Sequence, residues 1–190
     1  PEIGECGLYV VPIGGGPVVE LFGEISSSNI LSYIKITEDS LHVLFIEFRG
    51  LVDMILWRVP IGDMDPLALS REGCKVKYQI SPDGQSVVYE EYGCPTAGLY
   101  RSDLDGNEVP LKNGVFKDFE ITPDGTYVIF IQDVACGIDE LFSIPIEGGP
   151  AVRLNSALVP GGNVKNFEIT PDSKYVVYRA DETEDDKILL

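Results

Sequence analysis

Short apolar stretches bounded by Gly, Pro, Asp or Ser recur along the 190 residues of the chain. Alternation of apolar and polar positions predicts strands with one buried face, and short continuous β-branched runs predict strands buried on both faces. No apolar run keeps helical spacing over the length of an ordinary helix, which argues against a parallel α/β fold. The pattern therefore predicts an all-β protein.

One turn sequence recurs between these strands. It reads ISPDG at 80–84, ITPDG at 121–125 and ITPDS at 169–173, with a decayed copy, ITEDS, at 36–40. Ser or Thr, Pro, Asp and Gly suit successive positions of a tight hairpin turn, since Pro fixes φ and Gly accepts the left-handed conformation. The four isoleucines that open the copies are 44, 41 and 48 residues apart. A period of about 40–50 residues is typical of a β-propeller built from four-stranded antiparallel blades.

Each repeat supplies strands A and B on either side of the PDG turn, then strands C and D. Strand C reads GLYVVPI, ILWRVPI, GLYRSDL and ELFSIPI in successive copies. Full blades are predicted at about residues 33–70, 77–113 and 118–156. The chain begins with strands C and D alone and ends with strands A and B alone, so a blade at 166–190 is predicted to be completed by residues 1–24. The sequence thus predicts a single β-propeller domain over 1–190, a four-bladed ring closed by its own termini.

Two other assemblies fit the same strand count. Two copies can join ends and form one larger ring, or the chain can be part of a longer propeller. Residues 187–190 can also begin another strand C, which would compete with closure. Closure of either kind removes exposed sheet edges, which otherwise invite edge-to-edge pairing.

The chain is strongly acidic, with 31 acidic and 14 basic residues and a net charge of −17. This charge disfavours nucleic acid and anionic membrane surfaces as partners. No apolar stretch approaches the roughly 20 residues of a membrane span, so no membrane insertion is expected. A signal peptide is expected to be absent or already removed. The charge serves solubility, or it attracts cations or a basic protein partner.

Acidic residues concentrate on one side of the predicted propeller. Strands in a blade alternate in direction, so the B–C and D–A connections emerge on one side, here called the loop face, and the PDG turns on the other. The loop-face candidates for binding are Glu90, Glu91, Asp133, Asp139 and Glu140. The acidic run 181–186 lacks the central Gly and terminal Glu spacing of an EF-hand, so a solvated loop is favoured over a metal site. No cofactor is expected, with Ca²⁺ or another cation as the open alternative.

All four cysteines, at positions 6, 74, 94 and 136, also fall on the loop face. If Ser81 lies opposite Ser86, the register places Cys74 opposite position 93, next to Cys94. A disulfide between Cys74 and Cys94 then fits the required geometry, with free thiols as the alternative. An even number of cysteines in loops favours a periplasmic or extracellular location without establishing it. No CxxC or cysteine–histidine spacing supports zinc.

Polar residues at equivalent positions of strand A are predicted to line the propeller axis. They are Lys35, Gln79, Glu120 and Glu168. Buried charges require a partner or hydration, so the set predicts a wet tunnel in which Lys35 partly neutralises Glu120 or Glu168. An axial cation or small-ligand site is the alternative.

Signals for catalysis are weak. His42 is the only histidine and falls within an apolar strand. The chain has neither a GxSxG nucleophile elbow nor a GxxxxGK phosphate-binding motif. The sequence therefore predicts a protein that is not an enzyme.

The segments ISPDGQSVVY, ITPDGTYVIF and ITPDSKYVVY, each followed by GLY or ELF where the chain continues, resemble the PDG-type repeats of TolB-like propellers. They also resemble the propeller domains of prolyl oligopeptidases, dipeptidyl peptidases and the tricorn protease. The first resemblance implies a protein-interaction propeller at the bacterial envelope, and the second a docking or gating domain beside a catalytic domain. The first full repeat departs from the pattern with Glu38 for Pro and Ser40 for Gly.

These observations predict a non-catalytic recognition or scaffold module that contacts a protein partner through its acidic loop face. One alternative is a propeller that binds a small ligand, a glycan or a cation in its axial channel. The other is an accessory propeller of a larger peptidase-like hydrolase.

Overall fold

The computed structural model describes residues 6–25, 29–95 and 97–182 as a series of antiparallel sheets. Three sheets have four strands and two have two strands. The N-terminal half-blade consists of β1 (Cys6–Val10) and β2 (Val19–Ile25). Blade 1 consists of β3 (Ile30–Ile36), β4 (His42–Phe48), β5 (Met54–Pro60) and β6 (Leu67–Ala68).

The remaining strands follow the same plan. Blade 2 consists of β7 (Lys75–Ile80), β8 (Ser86–Tyr92), β9 (Gly98–Asp103) and β10 (Glu108–Asn113). Blade 3 consists of β11 (Val115–Ile121), β12 (Tyr127–Asp133), β13 (Asp139–Pro145) and β14 (Val152–Arg153). The C-terminal half-blade consists of β15 (Val164–Ile169) and β16 (Val176–Ala180). Strand order within each sheet equals chain order, so every connection is a hairpin.

The core is divided into four apolar clusters, each between two sheets that are neighbours along the chain. Leu44 and Tyr89 belong to the cluster between blades 1 and 2, and Val88 and Phe130 to the cluster between blades 2 and 3. The other two clusters join the N-terminal half-blade to blade 1 and the C-terminal half-blade to blade 3. Strand B of each full blade lies between two clusters, which explains its continuous apolar sequence.

The PDG turns have the predicted geometry. In the second copy, Gly84 donates its N–H to the Ser81 carbonyl at 2.8 Å and has a φ of 72°. The Ser81 hydroxyl bridges the Asp83 carboxylate and the Ser86 carbonyl. The decayed copy forms the same turn, because Ser40 adopts a φ of 59° at the glycine position. Loss of Pro and Gly therefore leaves this hairpin in place.

The two half-blades remain separate two-stranded sheets. Within the described residues, no ladder pairs β16 with β1, so the predicted sharing of one blade by the chain's own termini is absent from this structure. The difference lies in packing: one half-blade packs on blade 1 and the other on blade 3, and no core cluster of the described residues joins the two half-blades. The predicted extra strand at 187–190 lies outside the described residues.

The described part of the chain contains no helix long and apolar enough to cross a membrane.

Candidate functional site

A buried polar side chain occupies the sixth position of strand B in each full blade. These residues are Glu47, Glu91 and Gln132. Glu91 accepts the backbone N–H of Arg71 at 2.8 Å, and Gln132 donates to the Asn113 carbonyl at 2.9 Å. Both contacts hold the D–A connection that leads into the same blade. The repeated position was visible in the aligned sequences, but its role depends on where each connection folds back.

Glu90 and Glu91 therefore do not form part of an exposed acidic surface, as the sequence had suggested. Both side chains are buried, and they point to opposite faces of β8. Glu91 pairs with Arg71 Nη1 at 2.9 Å, while Glu90 lies 3.2 Å from the Lys77 ammonium. Burial raises the pKa of Glu90, and the nearby Lys77 charge partly opposes this rise. Both buried carboxylates therefore have a positively charged partner within the fold.

The other loop-face candidates lie at the B–C end of one hairpin in blade 3, where Asp133 is the register partner of Asp139 and Glu140 follows. Asp133 accepts the backbone N–H of Gly137 at 3.0 Å, and Glu140 pairs with Arg153 at 3.0 Å. Asp139 has one buried carboxylate oxygen without a hydrogen-bond partner in the described structure. Although Asp133 and Asp139 are neighbours across this hairpin, the three carboxylates do not come within metal-ligand distance of one another among the described residues.

The axial candidates lie on successive strands A, and Gln79 and Glu120 each interact with a neighbouring strand A. Gln79 bridges two strands A, donating to the Phe119 carbonyl at 3.1 Å and accepting the Ile121 N–H at 3.0 Å. Burial raises the pKa of Glu120, and the charges of Asp118 and Glu168 raise it further. Lys35 makes no ion pair with any described residue; its ammonium lies 5.3 Å from the centre of the Tyr78 ring. Lys35 therefore does not neutralise Glu120 or Glu168 by direct contact.

Cys74 and Cys94 are joined in a disulfide, with their Cα atoms 5.2 Å apart. The ladder beside them pairs Lys75 with Tyr92, which is the register expected from the PDG turn. Cys136 is exposed and outside this bond, and the side chain of Cys6 lies outside the described residues.

One group of potential metal ligands occurs among the described residues, and it consists of Cys74, Cys94 and Glu91. Because the two sulfurs are bonded to each other and Glu91 pairs with Arg71, the oxidised form does not present these atoms to a metal. Of the acidic run, Asp181 pairs with Lys165 at 2.9 Å, and Glu182 accepts the Tyr178 hydroxyl at 2.7 Å. The rest of that run, 183–186, lies outside the described residues.

A cavity of about 390 Å³ lies between blades 1 and 2. Its walls come from strands A and from the loop-face ends of strands B and C. The side chains that give it chemical character are Tyr33, Lys35, Phe48, Met54, Tyr78 and Tyr92. Of these, sequence reasoning had selected only Lys35. The aromatic residues lie in four different strands, two in each blade, so only the packing of two blades brings them together.

The polar groups of this interblade pocket are held by contacts around Tyr78. The Tyr78 hydroxyl donates to the Leu44 carbonyl at 3.1 Å and also contacts the Tyr33 carbonyl. Tyr33 has a φ of 53° at a register shift between Ser32 and Lys35. Burial raises the pKa of Tyr78 above its ordinary value, and its phenol, like that of an ordinary tyrosine, is protonated at neutral pH. These contacts fix the ring over which the Lys35 ammonium lies.

Lys77 also lines the pocket, but its ammonium group points away from it. Its ammonium contacts Glu90 and the Lys117 carbonyl, towards blade 3. Only its aliphatic stem is therefore available to the pocket. Among the described residues that line the pocket, Lys35 supplies the one ammonium that has no carboxylate partner.

No protein-family model matches the chain, and no curated protein matches its sequence. Solved structures do match its fold. TolB from Acinetobacter baumannii superposes with a TM-score of 0.57 and 17% identity over 90% of this chain and 42% of its own. A putative TolB from Agrobacterium tumefaciens gives 0.59 and 18%, over 93% and 63% of the two chains. Oligogalacturonate lyase in complex with manganese gives 0.62 and 19%, over 92% and 50%.

A prolyl endopeptidase and a puromycin hydrolase also match. The expected likeness to TolB and to peptidase-type propellers is thus confirmed at the level of fold. At these identities the comparison does not extend to activity, and the similar proteins include both enzymes and non-enzymes. The chain spans between 42% and 63% of the length of the three structures above.

Proposed function

We propose that this protein is a non-catalytic recognition module that binds a small aromatic carboxylate in the interblade pocket. The observation that carries the proposal is the Lys35 ammonium, which lies over the Tyr78 ring without a carboxylate partner among the described residues. An apolar pocket with a few well-placed polar groups is the usual form of a small-molecule site. Aromatic walls would cover the apolar body of the ligand, and Lys35 would pair with its charge.

The pocket is a better candidate than the acidic loop face for a physical reason. Most candidate carboxylates of that face already accept hydrogen bonds or pair with Arg and Lys inside the fold, as described for Glu91, Asp133 and Glu140. A protein partner would have to break these contacts to use them. A ligand carboxylate could pair with Lys35 without breaking an existing ion pair among the described residues.

The chemistry of the lining supports a binding role without catalysis. The described lining residues include no carboxylate or histidine, and the Tyr78 phenol is protonated at neutral pH. The pocket therefore offers no evident proton acceptor at neutral pH. The lone His42 lies in β4, outside the set of lining residues.

Methionine methyl signals provide a direct test. The chain has two methionines, of which Met54 lines the pocket and Met64 is exposed in a turn. We expect naphthylacetate to shift the carbon-13 methyl signal of Met54 saturably and to leave that of Met64 unchanged. Naphthylethylamine, which has the same ring system and the opposite charge, should not bind. The Lys35→Gln variant should weaken naphthylacetate binding roughly tenfold, or about 1.4 kcal/mol.

Two matched variants control this test. Lys35→Arg keeps the charge and should retain most of the affinity, and Lys174→Gln removes an exposed lysine of a PDG turn. The proposal is wrong if naphthylacetate leaves Met54 unmoved, or if Lys35→Gln and Lys174→Gln bind it equally well.

We further propose that the module works as a closed ring in which the C-terminal half-blade supplies strands A and B of a blade, and the N-terminal half-blade supplies strands C and D. Closure would protect sheet edges that the single chain leaves unpaired. The Cys74–Cys94 disulfide supports an oxidising compartment, periplasmic or extracellular.

A further inference from the structure

Among the described residues, each half-blade lacks the two strands that would complete a four-stranded blade, and one of its faces has no covering sheet. In blade 3, β12 pairs with β13 along seven residue pairs. The corresponding edge of β16, and that of β1, has no partner strand among the described residues. An unpaired strand edge presents unsatisfied backbone N–H and C=O groups to any strand of matching pattern.

The uncovered faces carry apolar side chains that are buried at equivalent positions of blade 3. Val177 is 66% exposed, while its counterpart Ile129 is 3% exposed. Val11 is 51% exposed, while its counterpart Ile144 is 1% exposed. Tyr9 lies beside Val11 and is also exposed. These exposures show that the two half-blades do not cover each other within one chain.

We propose that β16 of one copy of this chain pairs with β1 of a second copy, so that two half-blades form one four-stranded blade. The segment YVVYRAD at 175–181 aligns with YVIFIQD at 127–133, and GLYVVPI at 7–13 aligns with ELFSIPI at 140–146. Blade 3 pairs Ile129 with Ser143 and Phe130 with Phe142. The same register places Val177 opposite Val10, and Tyr178 opposite Tyr9, of the other copy.

The side chains face the correct sides in this arrangement. Leu8 and Val10 pack on blade 1 in the single chain, so Val177, opposite Val10, faces blade 1 of the second copy. Tyr178 packs on blade 3, so Tyr9 of the second copy, opposite it, joins the surface against blade 3 of the first. One joint therefore covers both exposed faces.

A second copy is the occupant because, among the described residues, no core cluster joins the two half-blades of one chain and no ladder pairs β16 with β1. Two copies related by a twofold axis form two identical joints, which give β1 and β16 of each copy a partner strand. Six complete sheets and two shared ones make eight blades, at the upper end of the usual propeller range. The inference rests on the closed ring proposed above and is independent of the pocket ligand.

Cross-linking between two single-cysteine variants tests this joint. In a background with Cys6→Ser and Cys136→Ser, Val10→Cys is made in one preparation of the full chain and Val177→Cys in another. Cross-strand neighbours have Cβ atoms about 4.5–5.5 Å apart, close enough to bond on mild oxidation. We expect the mixture to form a covalent heterodimer of twice the 20.8 kDa chain mass. Native mass spectrometry of the unmodified protein should give the same two-chain mass.

The control pairs Val177→Cys with Ile13→Cys, which is fully exposed but out of register, and should cross-link far less. If the double variant Val10→Cys/Val177→Cys forms its bond within one chain and the mixture forms none, the chain closes on itself and the second copy is wrong. If neither preparation forms the bond, the proposed closed ring is also wrong. Naphthylacetate binding at Met54 is read separately, so neither outcome decides the pocket.

Discussion

Single side chains in this protein take their roles from the face of the strand that they occupy. Glu90 and Glu91 are adjacent and identical, yet Glu90 pairs with Lys77 and Glu91 with Arg71 on the other face of the sheet. Lys35 and Lys77 differ in the same way, since only the Lys77 ammonium reaches a carboxylate among the described residues. Residue type alone therefore does not identify which charges remain available for a ligand.

The lone histidine allows a prediction at this scale. Burial lowers the pKa of His42 below its ordinary value, and the charge of Arg58 lowers it further; its buried Nδ1 has no hydrogen-bond partner in the described structure. The unfolded chain therefore takes up the proton first as the pH falls. The contribution of His42 to stability is complete above the unfolded pKa of about 6.5 and is lost as the pH falls from there towards the folded value.

Proton NMR of the single imidazole should give a titration midpoint below that of a histidine in the urea-unfolded chain. Unfolding free energies of the wild type should fall between pH values of about 7.5 and 5.5, and a His42→Asn variant should show a smaller fall. A folded midpoint at or above the unfolded one would contradict this account.

At the scale of elements, the blade is a four-stranded unit whose entry connection is clamped by its own strand B. Glu91 accepts the Arg71 N–H, and its side chain also pairs with the Arg71 guanidinium. The Cys74–Cys94 disulfide ties the same connection to the end of strand B covalently. The equivalent contact is made in blade 1, where Asn29 Nδ2 donates to Glu47 at 2.9 Å, and in blade 3 by Gln132, whereas the disulfide is confined to blade 2 among the described residues.

These contacts predict that substitution of the buried Glu91 lowers the free energy of unfolding more than substitution of the exposed Glu72 does. Glu91→Gln leaves part of a buried ion pair and hydrogen-bond set unsatisfied and should lower the free energy of unfolding by about 1–3 kcal/mol. Glu72 pairs with Arg49 but is 75% exposed, so Glu72→Gln should cost about 0–1 kcal/mol. Urea unfolding under oxidising conditions compares the two. Equal losses would show that burial of Glu91 is not what makes its contacts important.

At the scale of the whole molecule, the fold is a linear series of sheets in which each core cluster joins only neighbours along the chain. Stability of such a series is approximately a sum of unit and interface contributions, and the end units lack one interface each. The structure thus explains both the continuous burial of β8 and the partial, alternating burial of β16.

Hydrogen exchange should follow this order. We expect the amides of β8 to exchange most slowly and those of β1 and β16 fastest when the chain is dilute, because local opening is easiest where one face is uncovered. In the cross-linked Val10→Cys/Val177→Cys assembly, exchange in β1 and β16 should slow while that in β8 stays the same. Strong protection of β16 at every protein concentration would instead indicate closure within one chain.

The sequence by itself determined the all-β class, the strand order within each blade and the hairpin register that brings Cys74 to Cys94, because local alternation and turn chemistry dictate these features. It also identified Lys35, but it assigned the charge of Lys35 to the wrong neighbours and treated Glu90 and Glu91 as surface acids. Only the tertiary structure decided these points, since burial and ion pairing depend on which sheets stack. The interblade pocket and the separation of the half-blades are likewise products of stacking between residues far apart in the chain, which no local pattern specifies.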